Sequence, residues 1–128
     1  MKTFNGRVAA ITGASSGIGR ALALELAQQN CDLALCSARA GKALEETATL
    51  AARLGVDVTH HQVDVSRHDE VERWATGIVA KYGRVNVIVN NAGVGYTGTV
   101  MGTSDADLAR VMDINFWGVV HGTRCFLP

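Results

Sequence analysis

Short apolar stretches alternate with longer stretches of helical periodicity along this chain. Residues 8–11 form a short apolar, β-branched segment that predicts a first strand over residues 7–12, and apolar positions three and four apart predict a helix over about residues 17–29. A second strand is predicted at residues 32–37. A second helix is predicted over residues 43–54, and Gly55 is placed to end it.

The middle of the chain repeats this alternation. Residues 56–63 alternate like a third strand. Ser66 precedes Asp69 by three residues, a capping-box spacing that predicts the start of a third helix, and Gly83 is placed to end that helix. One apolar face of the helix carries Val71, Trp74, Ala75, Ile78, Val79 and Tyr82.

The last third of the chain begins with a continuous apolar run at residues 85–89, which predicts a fourth strand buried on both faces. A glycine-rich loop covers about residues 90–102. A fourth helix is predicted to begin near Ser104 and to carry the apolar side chains Leu108, Val111, Met112 and Phe116.

Strand and helix thus alternate four times. This pattern predicts parallel strands joined by right-handed helical crossovers, which is an α/β fold with a doubly wound parallel sheet of the Rossmann type. In the usual order of such sheets, 3-2-1-4-5-6, these strands stand in the order 3-2-1-4. We therefore expect a partial sheet of four βα units, forming one domain over residues 1–128 that is truncated after the fourth helix.

Composition narrows the expected partners. The chain has 128 residues, 48% of them hydrophobic, and its 12 basic and 12 acidic side chains cancel. A nucleic acid or an anionic membrane surface needs a basic excess, so neither is an expected partner. No signal peptide and no apolar run of bilayer-spanning length is found. The cysteines Cys31, Cys36 and Cys125 include no Cys-x-x-Cys, which favours buried thiols in a reducing cytoplasm.

No metal site is predicted from the histidines. His60 and His61 are adjacent, so on a strand they would point to opposite faces of the sheet. His68 and His121 have no cysteine or carboxylate cluster at ligand spacing. We expect all four to be surface or partly buried residues without a ligand.

The turn between the first strand and the first helix carries the most chemical information. Gly13 would let the chain bend off the strand, Gly17 would let the backbone approach an anion, and Gly19 would let the helix pack closely on the sheet. The helix amino terminus adds free N–H groups and a partial positive charge, which suit a dinucleotide pyrophosphate. A tight turn with no ligand has the same glycines and stays open as the alternative.

Two motifs and two single positions together resemble the short-chain dehydrogenase/reductase family. The motifs are Thr-Gly-x-x-x-Gly-Ile-Gly at residues 12–19 and Asn-Asn-Ala-Gly at residues 90–93, and the single positions are Asp64 and Asn115. They agree with the family in order and spacing over essentially the whole chain. The resemblance implies an oxidoreductase that transfers a hydride between a nicotinamide cofactor and a small alcohol or carbonyl substrate.

The resemblance also implies which residues bind the cofactor. Ser15 and Ser16 would reach the adenosine ribose or its phosphate, and Asp64 would accept a hydrogen bond from the adenine amino group beside the Val65 backbone. Asn91 belongs to the same set, with a structural role between neighbouring strands as the favoured interpretation. Without the resemblance, Asp64 would be interpreted as a turn residue. The pyrophosphate would be lined by Gly13, Gly17, Ile18 and Gly19, and the ribose and nicotinamide by Asn90, Ala92 and Gly93.

The end of the second strand bears on the choice of cofactor. NAD-binding sites of this type place an acidic residue there, on the ribose diol. Residues 36–39 read Cys-Ser-Ala-Arg, so no carboxylate is present and Arg39 is placed to meet a 2′-phosphate. We therefore expect NADP(H) rather than NAD(H). The alternative is that Arg39 is a solvated side chain that opens the next helix.

The catalytic group implied by the resemblance is incomplete in these residues. Asn115 would belong to it, although a satisfied buried amide is the other interpretation. The family also needs a Ser and a Tyr-x-x-x-Lys, but Tyr82 and Tyr96 are followed four residues later by Asn86 and Val100. We therefore expect the cofactor-binding part of an enzyme, inactive on its own.

Two other functions remain open from the sequence. One is a catalytically inactive dinucleotide-binding module or truncated gene product. The other is an interaction protein that pairs through the apolar edge at residues 85–90 and through the fourth helix, where Phe116 and Trp117 form an apolar stripe. The resemblance implies a homo-oligomer formed through that helix in the intact protein.

Overall fold

In the computed structural model, which describes residues 3–39 and 41–127, strands and helices alternate in the predicted order. The strands are β1 (Val8–Thr12), β2 (Asp32–Ser37), β3 (Val58–Gln62) and β4 (Val87–Val89). The helices are α1 (Gly17–Gln28), α2 (Lys42–Ala52), α3 (His68–Tyr82), α4 (Asp105–Met112), a π helix (Asp113–Trp117) and α5 (Gly118–Phe126). None of these helices is long and apolar enough to cross a membrane.

The strands form a parallel sheet in the order β3-β2-β1-β4. β1 lies inside this sheet, so that Ala9 stands opposite Leu33 of β2 on one side and Val87 of β4 on the other. The predicted α/β fold of Rossmann type and its strand order 3-2-1-4 are therefore confirmed.

Helices cover both faces of the sheet and enclose β1 completely. On one face, Ile11 and Leu35 pack with Leu26 of α1 and Leu44 of α2. On the other face, buried side chains of β1 and β2 pack with those of α3 and α5: Ala10, Ala34, Cys36, Val71, Trp74, Ile78 and Phe126. This packing on both faces holds β1, and with it the start of the glycine turn, in place.

The capping box predicted at the start of α3 is wrong. The helix begins at His68 after Arg67, which makes no side-chain cap, and the Ser66 hydroxyl instead donates to Asp64 Oδ1 at 2.6 Å. The reason is local competition. The hydroxyl donates to a carboxylate two residues away, and this charge-assisted bond is stronger than the neutral bond that its oxygen would accept from a helix N–H. The helix ends as predicted at Gly83, which has a φ of +78°.

Two further differences concern the last third of the chain. β4 is half-buried and limited to Val87–Val89, rather than buried over residues 85–89, because it pairs with β1 alone in the described part of the sheet. The fourth helix starts as predicted, with the Ser104 hydroxyl accepting from the Asp107 N–H at 3.1 Å. It is then divided by the π helix, which apolar spacing does not distinguish from an α-helix.

Candidate functional site

The carboxyl ends of the parallel strands lie at one edge of the sheet, where their loops open a cleft of about 370 Å³. The chain leaves β1 for β2 on one side, while β4 lies on the other, so the cleft stands at the switch point where α/β sheets bind ligands. This glycine cleft is lined by Gly13, Ser15, Ser16, Ser37, Ala38, Arg39, Val63, Asp64, Val65, Asn91, Ala92, Gly93, Val94, Arg110 and Ile114.

Most of the predicted cofactor residues line this cleft, although they come from separate parts of the chain. The segments that follow β1, β2, β3 and β4 each contribute at least one of them. Five predicted residues are not part of the lining: Gly17, Ile18, Gly19, Asn90 and Asn115.

The first two glycines of the turn have backbone conformations that favour glycine. Gly13 has a φ of +65°, and a Cβ on it would lie 2.9 Å from the Ala92 Cα. Gly17 has a φ of +55°, and no atom of the described residues lies within 4 Å of the position where its Cβ would be. Gly13 therefore lets the turn pack against the loop after β4, whereas Gly17 leaves open space next to its backbone.

Gly19 meets the close-packing requirement predicted for it. A Cβ on Gly19 would collide with the Gly13 carbonyl oxygen and lie 2.6 Å from Asn91 Nδ2. The preceding Ile18 is 78% exposed, so its side chain contributes little to the core. Because Gly19 has no side chain, the first turn of α1 can pack against the end of β1.

The amino terminus of α1 has the electrostatic character of an anion site. Ser16 makes no capping hydrogen bond through its side chain, and no acidic residue lies in the first helical turn. Among the residues that the structure describes, the first N–H groups of the helix therefore have no side-chain acceptor, and the first turn carries no negative charge. Such a terminus offers hydrogen-bond donors and a partial positive charge to a phosphate.

Asn91 ties the loop after β4 to the glycine turn. Its Nδ2 donates to the carbonyl oxygens of Thr12 at 3.2 Å and Gly13 at 3.1 Å. In return the Thr12 hydroxyl oxygen accepts the N–H groups of Asn91 at 3.0 Å and Ala92 at 2.9 Å. Although Asn91 lines the cleft, its amide nitrogen is engaged in this link between strands.

The side chain of Asn90 faces away from the cleft. Its Nδ2 donates to the Thr123 hydroxyl at 3.2 Å, and its Oδ1 lies against Gly122 of α5. Within the described residues this buried oxygen has no hydrogen-bond partner. Asn90 thus packs β4 against α5, and its contribution to the cleft is to fix the strand from which Asn91, Ala92 and Gly93 continue.

Asp64 is oriented by a short network at the end of β3. Its Oδ1 accepts from the Ser66 N–H at 3.0 Å and from the Ser66 hydroxyl at 2.6 Å, while its own N–H donates to Glu70 Oε1 at 3.2 Å. Glu70 also pairs with Arg67 at 3.2 Å. These contacts fix the direction of the Asp64 carboxylate in the cleft wall.

Arg39 lines the cleft at the end of β2, where it is exposed. Its guanidinium makes no hydrogen bond or ion pair with any side chain in residues 3–39 and 41–127. Helix α2 begins only at Lys42, so Arg39 precedes that helix rather than opening it. The cleft therefore contains a planar cation that is not neutralised by a carboxylate.

Asn115 lies in the π helix and holds the loop after β4. Its Oδ1 accepts from the Val94 N–H at 2.8 Å, and its Nδ2 donates to the Val94 carbonyl oxygen at 2.8 Å. Gly93 permits this approach, because a Cβ there would lie 3.3 Å from Asn115 Oδ1. The side chain thus joins the π helix to the loop that forms one wall of the cleft.

Several lining residues could not be predicted from the sequence. Ser37 and Ala38 belong to the segment that identified Arg39, but neither has an ionic side chain to attract notice. Arg110 of α4 and Ile114 of the π helix are four residues apart, and both line the cleft. Helical spacing could have paired them, but only once the face that α4 turns to the cleft was known.

Cys36, near the end of β2, is a buried thiol without the lowered pKa that activates a nucleophilic cysteine. Burial raises the pKa of the Cys36 thiol to about 12, and its carbonyl oxygen accepts the Ala14 N–H at 3.1 Å. A thiol with such a pKa stays protonated at neutral pH, and the thiolate is the reactive form. Cys36 therefore serves packing beneath the glycine turn.

Comparison with known proteins agrees with this arrangement. A family model described as short chain dehydrogenase matches residues 7–128. SadH of Mycobacterium tuberculosis, which its name classes as an oxidoreductase, is 44% identical over 128 residues, covering 100% of this chain and 46% of that protein.

Two solved structures are similar in both fold and sequence. A short-chain dehydrogenase/reductase from Burkholderia phymatum in complex with NAD has a TM-score of 0.95 and 38% identity, with 100% of this chain and 45% of that chain covered. An alcohol dehydrogenase from the archaeon Thermococcus sibiricus complexed with 5-hydroxy-NADP has a TM-score of 0.89 and 38% identity, with 94% and 52% covered. The chain thus spans about half the length of the proteins it matches.

Proposed function

From the premise that this chain belongs to the short-chain dehydrogenase/reductase family, we propose that its glycine cleft binds a nicotinamide dinucleotide in an oxidoreductase. When bound, that cofactor supplies the hydride exchanged with a small alcohol or carbonyl substrate. The observation that carries the proposal is the uncapped amino terminus of α1 beside Gly13 and Gly17, at the switch point of the sheet.

The described residues fit the parts of a dinucleotide. The pyrophosphate would lie at the first N–H groups of α1, where Gly17 leaves open space and Ser15 and Ser16 border the cleft. Asp64 would accept from the adenine amino group through Oδ2, since Oδ1 is engaged by Ser66. The nicotinamide would extend along Ala92 and Gly93.

We further propose that the cofactor is NADP(H) rather than NAD(H). Arg39 is the support for this choice, because its guanidinium lines the cleft, lacks a carboxylate partner among the described residues and has the planar donor geometry that suits a phosphate. Residues 36–39 contain no acidic side chain to bind a ribose diol. The related structures named above hold NAD in one case and 5-hydroxy-NADP in the other.

Titration calorimetry with NADP⁺ and NAD⁺ tests both proposals. NADP⁺ is expected to bind more tightly, and Arg39→Ala should weaken NADP⁺ by roughly tenfold or more, the effect of losing a charge-assisted hydrogen bond, with NAD⁺ unchanged. Arg53→Ala is the matched control, since Arg53 lies at the end of α2 outside the cleft lining. Equal affinity for both dinucleotides in the unsubstituted chain would refute the NADP preference.

Catalysis by residues 1–128 alone is not expected. They contain no Tyr-x-x-x-Lys, and the one position that the resemblance assigns to the catalytic group is Asn115. Mixing the chain with NADPH and a panel of aldehydes and ketones should therefore give no absorbance loss above the protein-free rate. NADP⁺ binding without turnover is also what a catalytically inactive dinucleotide-binding module would show. Turnover that Asn115→Ala abolishes would overturn the expectation of inactivity.

Association of two copies of the chain through the region formed by α4, the π helix and α5 is a separate proposal. The apolar side chains of this region that stay exposed are Leu108, Met112, Phe116, Trp117 and Val119. We propose that a second copy covers them, as the resemblance implies for the intact protein. Light scattering after gel filtration would detect a dimer, and a monomer at high micromolar concentration would count against it.

A further inference from the structure

The turn between β2 and α2 is held by two side-chain hydrogen bonds to consecutive carbonyl groups. The Ser37 hydroxyl donates to the Arg39 carbonyl oxygen at 2.9 Å, and Gln62 Nε2 donates to the Ala38 carbonyl oxygen at 3.1 Å. We name Ser37 and Gln62 the turn clamp. Neither residue was a candidate from the sequence.

The sheet register explains why Gln62 can reach this turn. Ser37 and Gln62 are the last residues of β2 and β3 and stand opposite each other in the parallel pairing. Next to them, the Val63 N–H donates to the Ser37 carbonyl oxygen at 2.9 Å. The turn is therefore anchored to β3 by both main-chain and side-chain contacts.

The clamp acts on the backbone that carries Arg39. That guanidinium makes no hydrogen bond or ion pair with a side chain among the described residues, so its position depends on where the turn places its Cα atom. Ser37 borders the cleft but is only 5% exposed, so competing water has little access to it. A held backbone reduces the ordering cost when Arg39 binds an anion.

We propose that Ser37 and Gln62 are positioning residues for cofactor specificity, holding the turn so that Arg39 meets the 2′-phosphate of NADP(H). The inference rests on the proposed role of Arg39. Gln62 is exposed at the end of the edge strand β3 and lies outside the lining of the glycine cleft. The proposal therefore gives a function to a residue that does not itself border the cleft. A contact that served stability alone would affect all dinucleotides equally.

The experiment measures the dissociation constants of NADP⁺ and NAD⁺ for variants of this chain. Gln62→Met keeps the length of the side chain but removes its donor. It is expected to weaken NADP⁺ by roughly two- to tenfold, the range for loss of one hydrogen bond, and to leave NAD⁺ unchanged. Gln29→Met is the matched control. It removes an exposed hydrogen bond in which Gln29 Nε2 donates to Glu25 Oε1 of α1 at 3.2 Å.

Ser37 provides the second arm. Ser37→Ala should lower the affinity for NADP⁺ selectively, and Ser37→Thr, which retains the hydroxyl, should restore it. Because Ser37 is buried, thermal melts of both variants must show the cooperative transition of the unsubstituted chain. If Ser37→Ala unfolds the chain, the exposed Gln62 still tests the proposal.

A double substitution separates positioning from direct binding. If Gln62 acts through Arg39, then Gln62→Met should add no further loss of NADP⁺ affinity in an Arg39→Ala background. Additive losses, or equal weakening of NAD⁺ and NADP⁺ by Gln62→Met, would overturn the inference while leaving the proposed function intact. Failure of the unsubstituted chain to bind either dinucleotide would instead refute the proposed function.

Discussion

Gly19 and Gly77 both lie within helices, yet a methyl group on each would have opposite effects. At Gly19 it would meet the Gly13 carbonyl and the Asn91 amide, whereas in the described part of the chain nothing lies within 4 Å of the corresponding position at Gly77. Only the first glycine is required by packing. The sequence alone could identify Gly19 because its spacing from Gly13 and Gly17 places it in the first turn of the helix that follows β1.

Gly19→Ala is expected to lower the free energy of unfolding by about 1–3 kcal/mol, the usual cost of overpacking a fixed site. Gly77→Ala should raise it by about 0.5–1 kcal/mol, because alanine loses less backbone entropy in a helix. Urea unfolding followed by circular dichroism measures both. A neutral Gly19→Ala would show that α1 can move away from β1.

The side chains of the site were predictable in kind but not in direction. Asp64 and Asn91 stand in motifs, so their type was informative, but the Ser66 hydroxyl bonds Asp64 instead of capping α3. Asn90 turns to Thr123 although it neighbours Asn91 in the same motif. Sequence position does not determine such choices, since each depends on which acceptor the folded chain brings within about 3 Å.

At the scale of elements, the alternation of strand and helix was predictable because the spacing of apolar residues matches the positions that the strands and helices bury. α3 illustrates this, since Val71, Trp74 and Ile78 form the buried stripe that the spacing indicated. The π helix was not predictable. One extra residue in a helical turn leaves the apolar spacing almost unchanged, but it separates α4 from α5.

The connection between β1 and β4 gives a prediction at this scale. Asn91→Ala removes the donor shared by the Thr12 and Gly13 carbonyl groups, and the expected loss of unfolding free energy is about 2 kcal/mol. Asn5→Ala, at an exposed site, is the control. Chemical denaturation measures the free energy of unfolding of both variants. If Asn91→Ala were as stable as the unsubstituted chain, water would replace the amide without loss of stability.

For the whole molecule, strand order and cleft position followed from the sequence because right-handed crossovers leave few arrangements of four parallel strands. The contribution of Arg110 and Ile114 to the cleft lining could not be predicted, since it depends on where α4 lies relative to the sheet. The sequence thus predicted the edge at which ligands would bind and the residues that end each strand there. It could not predict contributions from a helix distant in the chain.

The whole fold should lose stability in alkaline solution. Burial raises the pKa of Cys36 from 9.0 to about 12, of Tyr82 from 10.0 to about 12, and of Cys31 from 9.0 to about 11, the last with help from the Asp32 carboxylate. The folded state retains these protons where the unfolded chain has lost them. This stabilisation is therefore complete below about pH 9 and is lost as the pH rises toward 12.

Urea midpoints measured from neutral pH to strongly alkaline pH check this expectation. Tyr82→Phe should flatten the decline at the highest pH values, because the phenol that donates to the Leu33 carbonyl oxygen at 3.2 Å is then absent. Tyr96→Phe should not, since Tyr96 is exposed. A midpoint that stays constant across the range would contradict the assigned pKa shifts.

The Asn91 amide has a consequence for transplanting this loop. Residues 12–19 and 90–93 are distant in sequence, but the carbonyl groups of the first segment are fixed by a side chain of the second. A designer who moved only the glycine segment into another parallel sheet would leave two carbonyl groups without their donor. The transferable module is therefore discontinuous, and both segments must be carried over together to reproduce the shape of the turn.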